Sequence, residues 1–244
     1  MLPIWAKKLG NKPVLSENYA ENFKRLEERL RREDEDRWLS SRFAPLAQRL
    51  QLVSLYMFNL ELARIAGLVK EPGIAAIRYQ WWREAIDPDR GAHAGDQHMV
   101  VRAVMQSQIP LTLLHTLIDG HQDAYEAHQP SARPEGVLIQ GAAELLGPLA
   151  PELGERIYKL GQLYAAARYT EKKASAPKSD KSAAIAPISP APSKNRQAKS
   201  IPLPSVLRPA FAHAALRHAY GADMPPSALK KRWIILRAIM TGRI

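Results

Sequence analysis

Apolar residues recur at three- and four-residue steps along much of this chain, most densely between residues 50 and 86. There Leu52, Leu55, Phe58, Leu62, Ile65 and Ala66 fall on one side of a 3.6-residue helix. Tyr56, Met57 and Leu60 widen that apolar surface beyond a stripe, so the spacing predicts an inner helix packed on more than one side. Pro72-Gly73 interrupts the pattern, and a second helix is predicted from about Ile74 to Ile86, stopped by Pro88.

The flanking sequence repeats the theme. Ser16 is placed to cap a helix carrying Phe23, Leu26 and Leu30. The charged run from Glu27 to Trp38 reads first as the solvated face of a helix, with a partner surface as the alternative, and the residues from Trp38 to Pro45 read as a connector near which Arg37 and Arg42 reach a shared pocket. Further helices are predicted over Met99–Ser107, after Pro110 (Leu111, Leu114, Ile118), from Glu135 to the Gly147-Pro148 stop, and from Pro151 toward Tyr169. The reading is therefore an all-α chain: a main helical domain over 16–170, a flexible basic insertion over 171–200, and helices over 201–244 that dock back onto the same body. Pro225-Pro226 introduces the last helix, in which Trp233, Ile234, Leu236, Ile239 and Met240 lie among Lys230, Lys231, Arg232, Arg237 and Arg243. Two uses of that helix stand open, capping the core or binding an anionic membrane or protein surface.

Composition narrows the chemistry. A chain of 244 residues is long enough for a sizeable core, and the absence of cysteine excludes disulfides, thiolate nucleophiles and cysteine-ligated metals. No segment has the length of apolar sequence a transmembrane helix needs, and the first residues lack a secretory leader pattern, which makes the cytoplasm the default expectation. The net charge of +11 points to an anionic partner. Glu171–Ser200 holds seven basic and two acidic residues, a net of +5, so nearly half of the excess lies outside the helical pattern, and with no docking motif present a nucleic-acid partner is disfavoured.

Candidate chemistry is sparse. Asp119 and Asp123 are four residues apart and share one helix face if the helix continues through Gly120, so they are weak candidates for holding Mg²⁺ through oxygen or water ligands, with a solvated face as the plainer reading. His93 and His98 lack the spacing of a metal site, and His121, Tyr125 and His128 form no nucleophile-base-orienter order. Arg37, Glu61, Arg64, Arg78 and Arg83 are candidates for binding a ligand or anion; Arg78 and Arg83 either line a cleft or pair with Glu61 and Glu84.

Four segments carry a resemblance: Asp36-Arg37-Trp38, Arg42-Phe43-Ala44-Pro45, the run from Leu55 to Arg64 (LYMFNLELAR) and the run from Ile77 to Ile86 (IRYQWWREAI). Together they resemble the squalene/phytoene synthase family, and especially its synthase-like branch that includes mitochondrial complex I assembly factors. The similarity is expected to run from about Asp36 to Leu216, through LIDGHQDAY (Leu117–Tyr125) and IPLP (Ile201–Pro204). It implies the isoprenoid synthase fold, a helical bundle around a central cavity.

Catalytic members of that family condense prenyl diphosphates, with aspartate-rich helices binding Mg²⁺ while an apolar cavity shields the carbocation. This sequence departs from that pattern. Where the first aspartate-rich motif is expected it has Ala63, Arg64 and Gly67, with only Glu61 nearby, and the second candidate helix, Gly161–Lys173, has Ala165, Ala166 and Ala167. Alanine and glycine side chains cannot ligate Mg²⁺, and an arginine repels it. The missing carboxylates favour a noncatalytic protein that needs no cofactor and acts with a protein partner in assembly, at an anionic membrane surface in one form of the reading. The alternative implied by the resemblance is a Mg²⁺-dependent prenyltransferase acting on prenyl diphosphates.

Overall fold

The computed structural model describes residues 17–90, 98–128, 131–175, 203–220 and 226–244, and among these every regular element is helical. The helices are α1 (Glu17–Glu33), α2 (Glu35–Ser41), α3 (Leu46–Leu68), α4 (Pro72–Ala85), α5 (Met99–Gln106), α6 (Leu111–Glu126), α7 (Arg133–Leu146), α8 (Pro151–Ser175), α9 (Arg208–Phe211), α10 (Arg217–Tyr220) and α11 (Ala228–Thr241). Short 3-10 turns lie at Pro88–Arg90, Ser205–Leu207 and Ala212–Leu216. This is an all-α helical bundle, consistent with an isoprenoid synthase-like fold.

Helix α3 is the axis. It packs against α1, α2, α4, α5, α6 and α7. Every residue from Leu52 to Asn59 is buried, so for two turns the helix has no solvent face at all. Pro72 sits in the first turn of α4, where its missing N–H costs nothing, and the expected second helix therefore starts two residues before Ile74. Glycine at the contact of α7 and α8 lets the two helices pack closely. A Cβ on Gly161 would lie 2.6 Å from the carbonyl oxygen of Glu135, and one on Gly136 would lie 2.7 Å from the Tyr158 ring.

The segment from Leu203 onward contacts the helices that precede it. Ser40 Oγ donates to the Pro209 carbonyl at 2.8 Å and Tyr56 Oη to the Ala210 carbonyl at 2.9 Å, which ties this segment to α2 and α3. Helix α11 is closed at both ends. Ser227 accepts from the Lys230 N–H, Gly242 takes the left-handed conformation after the last turn, and Arg208 donates to the carbonyls of Ile239 and Met240 at 2.7 and 2.9 Å. A guanidinium there also complements the negative end of the helix dipole.

Two boundaries differ from expectation. Glu171–Ser175 continue α8, because nothing before Pro177 forbids the helix, so the expected insertion does not begin at 171; its remainder, with the expected arm over 1–15 and His93, lies outside the described residues. The charged run is also not one helix. Asp34 leaves helical geometry (φ −148°, ψ 75°) and caps α2 by accepting from the Arg37 N–H, which splits the run into α1 and α2.

Candidate functional site

Splitting the run decides where its charges go. At α2, Asp34, Asp36 and Arg37 are buried rather than solvated, which overturns the solvated-face reading for this end of the run. Arg37 pairs with Asp34 and with Glu135 of α7, and Arg168 of α8 reaches Asp34 at 2.9 Å. Asp36 accepts from Tyr164 Oη at 3.1 Å, from Tyr220 Oη, and from Lys231 of α11 at 3.2 Å. Three carboxylates thus meet three cations, and with the two tyrosines the network draws on α2, α7, α8, α10 and α11. Burial pushes the Asp34 carboxyl up, but the charges of Arg37 and Arg168 outweigh it and hold the group well below the usual carboxylate range. Arg37 and Arg42 share no pocket, since Arg42 points outward over Trp38 and pairs with Glu27 at 3.2 Å.

His213 lies in the wall of this network, fully buried, with its ring 5.0 Å from that of Tyr164 and 6.1 Å from that of Tyr56. Among the described residues neither ring nitrogen has a hydrogen-bond partner. Burial, reinforced by Arg37, pushes its pKa well below that of a free histidine and keeps it neutral. Burial likewise raises the phenols of Tyr56 and Tyr164, so both remain protonated donors.

A second network lies on the outer side, between α1 and α3. Arg29 pairs with Glu33 at 2.9 Å and with Glu61, and Arg64 pairs with the same two carboxylates at 2.7 and 3.2 Å. The four side chains form a closed alternating ring. It occupies the region where the resemblance calls for a metal-binding motif: Ala63 and Gly67 are exposed on the same helix, a Cβ on Gly67 would meet nothing within 4 Å, and both glutamates are already shared between two guanidiniums.

The remaining candidates separate. Arg83 pairs with Asp119 at 2.6 Å rather than with Glu61, and Asp123 pairs with Arg133 at 2.6 Å; Arg78 is exposed. Helix α6 does continue through Gly120, but its two aspartates are taken by arginines from α4 and α7, two different neighbours. Among the described residues no group of three or more His, Asp or Glu side chains is placed to hold a metal ion. Asn59, from the aromatic motif of α3, lies 2.9 Å from His121 Nε2. Burial, with a contribution from Arg37, lowers the His121 pKa to about 4, so the neutral ring donates Nε2–H to the Asn59 carbonyl oxygen. Trp82 of the second motif stacks edge-on with Phe58, Trp81 and His98 at 5.2, 5.1 and 5.0 Å. The two motifs are thus a packed interface between α3, α4 and the start of α5.

Space for a substrate is the last element of the geometry. Tyr56, Phe58, Tyr79, Tyr164 and Phe211 are all under 2% exposed and fill the interior between the helices. A groove of about 310 Å³ between α6 and α7, lined by Leu113, Val137, Gly141 and Leu145 among others, shares no lining residue with either charge network.

Glu135, Arg168, Tyr164, His213, Tyr220 and Lys231 drew no attention as site residues in the sequence, because each is a single polar residue at a separate place in the chain. The one local signal was the D-x-x-R spacing of Asp34 and Arg37, which fits a cap and an i,i+3 pair. No curated protein and no solved structure matches the chain. The family model for squalene/phytoene synthase matches residues 30–133 only, ending well short of the expected Leu216, so that the stretch from the last turn of α1 to the first residue of α7 carries a family-level similarity to squalene/phytoene synthase.

Proposed function

We propose that this chain is a noncatalytic, synthase-like helical scaffold that works by protein association in the assembly of a respiratory complex. The observation that supports the noncatalytic half of this reading is the ring of Arg29, Glu33, Glu61 and Arg64. A diphosphate-Mg²⁺ site needs carboxylate oxygens with no cation already on them. Here the glutamates near the expected motif are neutralised by arginines, the neighbouring positions are Ala63 and Gly67, and the second expected acidic helix supplies Tyr164 and Arg168 instead. An interior filled by aromatic rings adds to this, since a prenyl chain would have to displace them.

The test is genetic and biochemical together. Removing the gene from its host is expected to reduce assembled complex I on native gels, and a copy carrying Asp119→Asn and Asp123→Asn is expected to restore it fully. The purified chain with farnesyl or geranylgeranyl diphosphate and Mg²⁺ is expected to form no condensation product. Mg²⁺-dependent condensation that the same two substitutions abolish would establish the prenyltransferase alternative and end the scaffold reading.

A further inference from the structure

Helix α11 has two apolar sides, and the core uses one. Ile235 and Ala238 are buried against the body, Lys231 is tied to Asp36, and Arg208 holds the last carbonyls. The opposite side carries Leu229, Trp233, Leu236 and Met240, which remain 77%, 60%, 45% and 72% exposed. With about 100° between successive residues these four fall within an arc of about 60°, a straight ridge along the outer face. Arg237 and Lys230 lie on one flank of the ridge, Arg232 on the other, and Arg243 just beyond the last turn; all four are exposed. Arg237 stacks over the Trp233 ring at 5.6 Å, and Arg232 lies 3.9 Å from Glu35.

We infer that this ridge is a docking surface for an anionic lipid bilayer, on which α11 lies parallel to the membrane plane. The sign of the partner follows from the charge: Pro226–Ile244 contains five basic residues and no acidic one. A second copy is a poor occupant, because a symmetric contact through the ridge would bring the same cations together with no carboxylate of this segment to oppose them. A narrow apolar ridge bordered on both sides by long cationic side chains, with a tryptophan at its centre, suits a headgroup boundary. The apolar tips enter the acyl region, while the lysine and arginine stems extend to the phosphates. Among the described residues no helix is long and apolar enough to cross a membrane, so the contact is peripheral. This inference does not depend on whether the bundle is catalytic.

The experiment is co-sedimentation of the full chain with vesicles of phosphatidylcholine alone or mixed with phosphatidylglycerol. Binding is expected only to the anionic vesicles and is expected to weaken roughly tenfold between low salt and 0.5 M salt. Trp233→Glu with Met240→Glu, both at exposed positions, is expected to lower partitioning by roughly a hundredfold with the helical circular dichroism unchanged. Ile77→Glu, on an equally exposed apolar residue of α4, is expected to leave it unchanged. Binding that survives the α11 pair would assign the attraction to other basic segments and overturn the inference. So would lipid-independent dimerisation in sedimentation velocity that the α11 pair abolishes, which would make a second copy the occupant.

Discussion

The interior network around Asp34, Asp36 and Arg37 and the outer ring of Arg29, Glu33, Glu61 and Arg64 are built from the same side-chain types, and one charged run, Glu27 to Trp38, feeds both. They differ in solvent. The interior groups were taken out of water, so each charge is tolerable only while its partner stays in place, whereas the ring exchanges hydration for contacts of similar worth. What separates them in the chain is Asp34. By leaving helical geometry it turns the next residues inward, so Arg29 and Glu33 face α3 while Asp36 and Arg37 enter the core.

The largest expected effect follows from breaking the interior balance. Arg37→Ala takes away the cation on Glu135 and leaves the buried Asp34 carboxylate to Arg168 alone, and is expected to cost about 3–5 kcal/mol in urea unfolding. A loss under about 1 kcal/mol would mean that these charges are hydrated in the native state, and the contrast with the ring would disappear.

Acid sharpens the same comparison. His213 and His121 are held neutral in the fold, with depressed pKa values, so below the ordinary histidine value near 6.5 the unfolded chain binds protons that the native one does not. Stability is therefore lost as pH falls from about 6.5 toward 4, by roughly 2 kcal/mol or more, since each tenfold difference in proton affinity between the two states is worth about 1.4 kcal/mol. Asp34 acts in a lower window: its depressed carboxyl contributes stability above the ordinary carboxylate pKa that is lost only as pH falls through its folded value. His213→Phe keeps the ring packing against Tyr164 and is expected to flatten the thermal-melting profile between pH 6.5 and 4. An unchanged profile would place the proton uptake elsewhere.

A smaller loss is expected from geometry. Gly161→Ala puts a methyl group 2.6 Å from the Glu135 carbonyl oxygen, which forces α8 away from α7 and draws Glu135 from Arg37. Overpacking of this kind costs about 1–3 kcal/mol. Coupling to Arg37→Ala in a double-mutant cycle would show that helix spacing and charge pairing are one feature; strict additivity would show that they are independent.

The bundle was legible because helix period, proline stops and glycine breaks are local signals: Pro72, Pro110 and Pro151 each stand at or beside the start of an observed helix. The interior network was not. Its members come from five helices, and only tertiary folding brings Arg168 to Asp34 or Lys231 to Asp36. Period alone also could not tell that the run EDEDR reverses its facing, since a single capping residue does that without changing the composition. Arg37 was expected to bind a ligand or anion in a pocket shared with Arg42, and it pairs instead with Asp34 and Glu135.

The ring gives the smallest expected effect. Arg64 is the most exposed of its four members, and removing it leaves both Glu33 and Glu61 on Arg29. Arg64→Ala is therefore expected to cost only about 0.2–1 kcal/mol, and less at high salt. The same variant probes the metal question, because it uncovers part of both carboxylates at the place where the family resemblance calls for Mg²⁺. Ala63 and Gly67 still offer no oxygen, so Mg²⁺ is expected to leave the melting temperature of Arg64→Ala where it was. A rise in melting temperature with Mg²⁺ that the unaltered chain does not show would mean that Arg64 alone stands between this helix and a cation site, and the ring would then be a masked metal site rather than a surface ion-pair cluster.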